Sequence, residues 1–217
     1  MTRREWKLDG LRIIAFEGRL RAPVVYAHMS PEDAAALADE RWSVAAIDGA
    51  DWNRDLTPWP AEAAFRGQPD FAGGADAHLK MLTERIVPMV EAELEPEGRA
   101  LAGYSLAGLF AIYAALKTGM FPAAASVSGS MWYPDFATFA EQGRFVPRCA
   151  YFSVGEREKL SRNAAFRSIE TCTERVCAAL EAHGARTVFE LNPGGHFDDH
   201  TGRMRRALEW LSANAGA

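Results

Sequence analysis

Apolar and polar residues first alternate in two short runs, residues 11–17 and 23–28, which a turn-prone segment separates. This pattern predicts an antiparallel hairpin near the start of the chain. A serine, a proline and two acidic residues at positions 30–33 are typical of a helix N-terminus, so we expect a helix over residues 30–40. The short apolar run of residues 42–48 predicts a buried strand.

Further along the chain, strand-like and helical patterns alternate. The predicted strands cover residues 99–102, 123–127, 148–154 and 187–191, and the predicted helices cover residues 75–94 (with a kink at Pro88), 106–117, 134–142, 161–183 and 201–213. The pattern predicts a long loop over residues 49–74. Strands that are separated by helices favour a mainly parallel sheet with helices on both faces. No repeat or linker divides the chain, so we expect one α/β domain over residues 1–217, without a separate lid domain.

Charge and composition narrow the range of partners. The formal net charge is -5 and no basic cluster is present, so we expect no nucleic-acid partner. No apolar stretch approaches the roughly 18 residues of a membrane span, which predicts no membrane association. A charged N-terminus and three cysteines, an odd number, favour a cytoplasmic protein with free thiols. We therefore expect a small-molecule substrate, while the sequence gives no indication of the oligomeric state.

The most informative motif is the segment around Ser105, where an apolar strand leads through a tight turn into an apolar helix. Residues two before and two after this serine, Gly103 and Ala107, are small, as they must be where the chain reverses so sharply that larger side chains would collide. Such a turn presents the serine hydroxyl at the edge of the sheet as a nucleophile. The Leu106 N–H then becomes an oxyanion donor at the start of the helix. The alternative is an ordinary serine at a helix N-terminus.

A nucleophilic serine needs a histidine as general base and an acid that orients the histidine. His196 lies on a glycine-rich loop after the last predicted strand, and it is the preferred base, with His200 as its rival. Glu158 and Glu156 both follow the strand at residues 148–154, and Glu158 is the preferred acid. The other histidines are expected elsewhere: His28 at a strand end, His78 exposed on a helix, and His183 at a helix C-terminus.

Several segments together carry a family resemblance. They are residues 53–60 (NRDLTPWP), 71–76 (FAGGAD), 126–132 (SVSGSMW), 153–158 (SVGERE) and 194–197 (GGHF), besides the serine turn. With them the sequence resembles the esterase D-like branch of the α/β-hydrolases, which includes siderophore (enterobactin-type) esterases. It is more distantly similar to S-formylglutathione hydrolases. The resemblance implies the α/β-hydrolase fold and supports a triad of Ser105, His196 and Glu158.

The resemblance also implies a set of pocket residues. Asp55 and the loop of residues 52–59, which contains Trp52 and Trp59, would border the substrate pocket, and Ser128 and Trp132 would line its wall. A tryptophan-rich loop that only packs over the sheet is the alternative for this loop. The glycine-bearing loop that usually supplies a second oxyanion donor is replaced here by the segment at residues 27–30 (AHMS), so we expect Met29 N–H to serve.

The resulting hypothesis is a carboxylesterase that cleaves a small-molecule ester through an acyl-enzyme. It needs no cofactor and no metal. The sequence contains no set of residues with metal-ligand spacing apart from Asp198-Asp199-His200, which we interpret as the start of a helix. Three alternatives stay open. The same fold could act as a thioesterase or acyltransferase, it could be a catalytically silent binding protein, or it could be a structural or partner-binding module.

Overall fold

A computed structural model describes residues 2–215 and contains one large sheet. Its strands are β1 (Arg3–Leu8), β2 (Leu11–Phe16), β3 (Val24–Ala27), β4 (Ser43–Asp48), β7 (Arg99–Tyr104), β8 (Ala123–Val127), β9 (Cys149–Gly155) and β10 (Arg186–Asn192), while β5 (Pro60–Ala61) and β6 (Phe71–Ala72) form a small separate pair. The helices are α1 (Pro31–Leu37), α2 (Trp52–Asp55), α3 (Ala75–Met81), α4 (Val87–Leu94), α5 (Leu106–Lys117), α6 (Phe136–Glu141), α7 (Ala164–Arg167), α8 (Ile169–Ala182) and α9 (His200–Asn214).

The large sheet is mostly parallel, as the sequence predicts. Its strand order is β1-β2-β4-β3-β7-β8-β9-β10. Every neighbouring pair from β4 to β10 is parallel, and only the pairs β1–β2 and β2–β4 are antiparallel. One face packs against α1 and α9, and the other packs against α3, α4, α5, α6 and α8. The predicted α/β class, with helices on both faces, is therefore confirmed.

The antiparallel hairpin at the start of the chain is made of other strands than those predicted. We expected residues 11–17 to pair with residues 23–28, but β2 pairs with β1, and β3 lies between β4 and β7. The connection between β1 and β2 is the pair Asp9-Gly10, both with positive φ (49° and 86°). A two-residue turn of this kind matches the twist of the flanking strands and closes a tight hairpin. The segment at residues 18–22 instead lies in the connection from β2 to β3, and β3 belongs to the parallel part of the sheet.

The helical segments follow the predictions with local differences. Residues 75–94 are helical throughout, but a π-helical turn, Leu82–Ile86, separates α3 from α4 just before Pro88. π-Helical turns are rare, occur mostly as single turns inside α-helices, and are one of the recognised causes of a helix kink. The helix predicted over residues 161–183 is broken, because α7 and α8 are separate. The predicted long loop at residues 49–74 contains α2, β5 and β6.

The parallel strands β7, β8, β9 and β10 end at the same edge of the sheet. Tyr104 pairs with Val127, and Asn192 pairs with Gly155, so the segments that follow these strands start side by side. The carboxyl edge of a parallel sheet is where loops from several strands meet and where sites are built. Within residues 2–215, no helix is both long and apolar enough to cross a membrane. All three cysteines are free thiols.

Candidate active site

Ser105 occupies the sharp turn between β7 and α5. Its backbone has φ 56° and ψ -123°, a combination that an L-residue adopts only under strain. A Cβ at Gly103 would lie 2.3 Å from the backbone carbonyl of Ala107, so a larger residue at position 103 would push the strand and the helix apart. The strain and the close approach together hold the serine hydroxyl at the sheet edge. Leu106 is the first residue of α5, and its N–H belongs to the helix end that carries unsatisfied donors.

His196 brings an imidazole to this serine from the loop between β10 and α9. Its Nε2 atom lies 3.2 Å from Ser105 Oγ. The loop is held in shape by Asp198, which accepts a hydrogen bond of 2.7 Å from the Gly195 N–H. Asp198 therefore stabilises the conformation of the loop that carries His196. The structure brings together the two residues, 91 positions apart, that the sequence analysis paired.

Glu158 approaches the other side of the His196 ring. It begins a short 3-10 turn, Glu158–Leu160, which starts after two intervening residues beyond the end of β9, and its side chain is only 1% exposed. The Oε2 atom of Glu158 lies 2.7 Å from His196 Nδ1. The Oε1 atom accepts hydrogen bonds from Ser128 Oγ at 2.6 Å and from the Gly155 N–H at 2.7 Å. Glu156, the alternative acid, is exposed to solvent.

Burial and hydrogen bonding act on Glu158 in opposite directions. Burial raises the pKa of the carboxyl, but the hydrogen bonds from His196, Ser128 and the Gly155 N–H outweigh burial, and the pKa falls below its ordinary value. The carboxylate is therefore ionised at neutral pH. An ionised acid in this position holds the Nδ1 proton of His196, which leaves Nε2 free to accept a proton from Ser105.

Replacing Glu158 by glutamine should make the free energy of unfolding depend less steeply on pH in the acidic range. Because the folded-state pKa of Glu158 is depressed, this group contributes stability that is present above its ordinary pKa of 4.5 and is lost as the pH falls through the folded value. Urea unfolding of the wild type should therefore lose more free energy than Glu158→Gln as the pH drops below about 4.5. The exposed neighbour provides a control, since Glu156→Gln should keep the wild-type slope. Equal slopes in Glu158→Gln and the wild type would contradict this reading of the buried carboxylate.

A cavity of about 860 Å³ includes Ser105 and His196 in its wall. Its lining is rich in aromatic residues: Trp52, Phe65, Phe71, Trp132, Phe166 and Phe197. The lining includes two charged residues, Glu158 and Arg157, and Arg157 forms an ion pair with Asp198 at 3.4 Å. The predicted role of Trp132 on the pocket wall therefore agrees with its position. Trp52 belongs to the loop that the resemblance placed at the pocket, and its position in the wall agrees with that expectation. Phe65, Phe71, Phe166 and Phe197 were not anticipated from the sequence.

Part of this lining is exposed to solvent at the mouth of the cavity. We call these four residues the apolar rim: Trp52, Phe65, Leu160 and Phe197. They are between 40% and 90% exposed. Single exposed apolar residues are common, but a group of them around one opening is typical of a binding site. The rim extends the apolar surface of the cavity outwards from the serine.

Three predicted pocket residues lie outside the cavity wall. Asp55 is buried against Arg54, with 2.7 Å between Asp55 Oδ1 and Arg54 Nε, and it borders a separate cleft of about 240 Å³. Trp59 donates from Nε1 to the Pro134 carbonyl at 3.1 Å and packs on neighbouring aromatic rings, as the structural alternative expected. Ser128 is fully buried, and its hydroxyl donates a hydrogen bond to Glu158 Oε1.

Met29 and Leu106 were the predicted oxyanion donors. Leu106 lines the cavity next to Ser105, where its N–H can face a bound carbonyl. Met29 follows β3, the strand beside β7, but it is not part of the cavity wall and packs in the core under α1 and α9. The assignment of Met29 N–H as second donor stays a prediction.

The remaining histidines do not approach Ser105. His200 begins α9 as expected, and its ring packs on Tyr104 with 4.4 Å between ring centroids. The expectation that His78 is solvated is wrong: it is 2% exposed, and its Nε2 lies 2.7 Å from His28 Nε2. Burial lowers the pKa of both rings, so they are neutral at neutral pH. Across the described residues, no three histidine, cysteine or acidic side chains lie close enough to hold a metal ion.

This mostly parallel sheet, with its strained serine turn and later histidine loop, defines a fold of the α/β-hydrolase type. Comparison with known families agrees. Residues 8–196 match the model of the Esterase family, described as "Putative esterase". The match covers most of the chain, so the protein belongs to this family and is an ester-cleaving hydrolase.

Relatives and solved structures extend the comparison. The chain is 29% identical over 169 residues to the "Uncharacterized protein YbbA" of Bacillus subtilis (strain 168), which covers 72% of this chain and 68% of that protein. The siderophore hydrolase EstB from Aspergillus nidulans superposes with a TM-score of 0.76 at 18% identity, covering 96% of this chain and 93% of EstB. An IroE-like serine hydrolase from Shewanella oneidensis gives a TM-score of 0.81 at 17% identity, covering 98% and 80%. At these identities the two structures establish the fold.

Proposed function

We propose that this protein is a carboxylesterase in which Ser105, His196 and Glu158 form the catalytic triad. The observation that carries the proposal is the continuous hydrogen-bonded chain from Ser105 Oγ through His196 to Glu158, with distances of 3.2 Å and 2.7 Å. The serine end of this chain opens into the cavity of about 860 Å³, where an ester could reach the serine. Nucleophile, base and orienting acid are thus adjacent in the order that acyl transfer requires.

In the first half of the proposed reaction, Ser105 Oγ attacks the ester carbonyl carbon. The hydroxyl proton moves to His196 Nε2 while the new C–O bond forms, and the carbonyl oxygen becomes an oxyanion. The Leu106 N–H, at the N-terminus of α5, donates to that oxygen, and one such donor contributes roughly 3 kcal/mol to transition-state stabilisation. Collapse of the intermediate breaks the bond to the alcohol, which takes the proton from His196.

In the second half, a water molecule attacks the acyl group on Ser105. His196 removes a proton from the water and then returns it to Ser105 Oγ, so the acid leaves and the enzyme is regenerated. Throughout both halves, Glu158 stays ionised and stabilises the positive charge that His196 acquires. Its depressed pKa and its burial beside the imidazole support this role.

The cavity favours esters with a large apolar or aromatic group. Its volume of about 860 Å³ lies at the upper end of small-molecule sites. Six tryptophan and phenylalanine side chains belong to the lining, and the apolar rim continues it outwards. A siderophore ester is one candidate, since a structural neighbour is described as a siderophore hydrolase. The identity of the natural ester is open to direct test with a substrate panel.

The panel should consist of p-nitrophenyl esters from acetate to octanoate, a benzoate, an aryl thioester and a catechol-siderophore lactone. We expect kcat/KM to rise with acyl size by up to about fourfold per methylene, because each buried methylene contributes about 0.8 kcal/mol. Acid quenching during turnover should trap the acyl group on the Ser105 peptide, which mass spectrometry detects. No turnover of any ester would favour a silent binding protein, and turnover confined to the thioester would favour a thioesterase.

Two exposed phenylalanines, one in the apolar rim and one outside the cavity wall, allow a matched test of whether the rim contacts the substrate. Phe65 belongs to the apolar rim and is 52% exposed, whereas Phe145 is 45% exposed and lies off the cavity wall. Phe65→Ala should lower kcat/KM for the octanoate relative to the acetate by about three- to tenfold, because part of the apolar contact is removed. Phe145→Ala should leave that ratio within about twofold. An equal ratio in both variants would argue against the rim as a substrate contact.

A further inference from the structure

Arg203 is a charged residue buried behind the proposed triad. It lies in the first turns of α9, and its exposure is 0%. A buried guanidinium is unfavourable unless acceptors and a counter-charge surround it. In the described part of the chain, the carboxylate within 4 Å of the Arg203 guanidinium is Glu158, with 3.5 Å between Nη2 and Oε1. The position of this arginine therefore needs an explanation beyond packing.

One arm of the guanidinium reaches the proposed acid. Arg203 Nη2 donates to Ser128 Oγ, and Ser128 Oγ donates in turn to Glu158 Oε1 at 2.6 Å. The serine hydroxyl therefore has its acceptor site filled by Arg203 and its proton directed at Glu158. With Oε1 held on this side, Oε2 faces His196 Nδ1. This hydrogen-bonded chain fixes the rotation of the carboxylate.

The other arm reaches the loop that carries the proposed base. Arg203 Nη1 donates to Tyr104 Oη at 2.9 Å, and Tyr104 Oη donates to the backbone carbonyl of His196. The same Nη1 also donates to the Gly195 carbonyl at 3.3 Å. Tyr104 is the last residue of β7 and directly precedes Ser105. A single side chain is therefore connected to the acid, to the loop of the base and to the residue beside the nucleophile.

We propose that Arg203 is a positioning residue that fixes Glu158 and the His196 loop in one mutual orientation; this inference rests on the triad proposed above. Two properties of arginine suit the task. Its planar guanidinium presents donors in fixed directions, so both arms can be engaged at once, and it stays charged at all relevant pH values. A lysine would keep the charge but would place its donors on one nitrogen, which cannot span Ser128 and Tyr104 together.

Three substitutions dissect this network, and an ester assay measures kcat and KM separately. Arg203→Lys should lower kcat by about 30- to 100-fold with KM within about threefold, because orientation is lost while the cavity is intact. Ser128→Ala and Tyr104→Phe each remove one arm and should each lower kcat by about tenfold. Arg205→Lys is the matched control on the same helix. Arg205 donates to the Ala36 carbonyl, so the lysine variant should keep kcat within about twofold.

A double substitution separates positioning from general support of the fold. If Ser128 acts by orienting Glu158, then Ser128→Ala should cost less than about twofold in a Glu158→Gln background, where the carboxylate is gone. A full tenfold loss of kcat on adding Ser128→Ala to Glu158→Gln would overturn the proposal that Ser128 acts by orienting Glu158. A cooperatively folded Arg203→Lys with wild-type kcat, or with a loss confined to KM, would overturn the role of Arg203. If Arg203→Lys does not fold, the test uses the other two variants. Wild-type kcat in both Ser128→Ala and Tyr104→Phe would then overturn the positioning role of Arg203.

Ser105→Ala belongs in the same series, because it separates failure of this inference from failure of the proposed triad. Turnover retained in Ser105→Ala would overturn the triad and, with it, the positioning role. An inactive Ser105→Ala, combined with wild-type kcat in the Arg203, Ser128 and Tyr104 variants, would overturn the positioning role alone. The expected pattern is an inactive Ser105→Ala with graded losses in the three network variants.

Discussion

Substitution of Ser105 by alanine should lower kcat for ester hydrolysis by about 100,000-fold or more, because the reaction loses its nucleophile while the cavity stays intact. Some residual acceleration over the uncatalysed rate can persist, since the Leu106 N–H and substrate binding are unaffected. Initial rates at high enzyme concentration, with the best ester of the panel, measure the effect. Alanine also fits the strained turn, because its Cβ occupies the same place as that of serine.

The control for Ser105→Ala is a buried serine outside the cavity wall, Ser126. Ser126 lies on β8 with 1% exposure, and among the described residues its hydroxyl has no hydrogen-bond partner. Ser126→Ala should therefore keep the stability and the turnover of the wild type. Substantial hydrolysis by purified Ser105→Ala would show that another group performs the attack. Equal losses in both variants would point to damage to the fold.

The second large effect is expected for the base. His196→Ala should lower kcat by about 10,000-fold or more, because among residues 2–215 the Ser105 hydroxyl then has no acceptor within hydrogen-bond distance. KM should change much less, since the aromatic lining of the cavity remains. Steady-state kinetics over a range of pH values measure both parameters.

His200→Ala provides the comparison, because His200 was the rival base. Its ring lies against Tyr104, and its Nδ1 atom faces Asp33 at 3.9 Å, so it has no contact with the nucleophile. This variant should retain kcat within about tenfold. Near-normal turnover in His196→Ala together with a severe loss in His200→Ala would transfer the role of base to His200.

The sequence predicts the part of the site that short-range geometry determines. The serine turn needs small residues at fixed distances from Ser105, and a strand and a helix on either side, so a local pattern is sufficient. The order of serine, acid and histidine along the chain led to Glu158 and His196. The choice between Glu158 and Glu156 depended on which of them turns inward after β9, and the structure has Glu158 buried and Glu156 exposed.

Other features depend on how distant segments pack, and the local pattern did not predict them. Trp59 follows a recognisable motif, yet its ring is inserted among Tyr133, Phe136 and Phe139 rather than into the cavity. The contact between Phe65 and Phe166, with 4.9 Å between ring centroids, joins segments about a hundred residues apart. Nothing near either phenylalanine in the sequence specifies that contact.

Two features did have a sequence signal that the prediction left unused. Asp9-Gly10 is a strong hairpin signal, but β1 is an edge strand with many charged residues, and its pattern predicted no strand. Arg203 falls in the buried stripe of α9 together with Met204, Ala207 and Leu208. A charged residue within an apolar stripe indicates a buried partner. For Arg203 that partner is the buried carboxylate of Glu158.

The central claim is that Ser105 is a nucleophile activated by His196, and active-site labelling tests it most directly. A fluorophosphonate probe should modify the wild type rapidly, and peptide mapping should locate the adduct on Ser105. Ser105→Ala should remain unlabelled, and His196→Ala should react at least about a hundredfold more slowly. An unmodified wild type, or an adduct that persists on another residue in Ser105→Ala, would contradict the account.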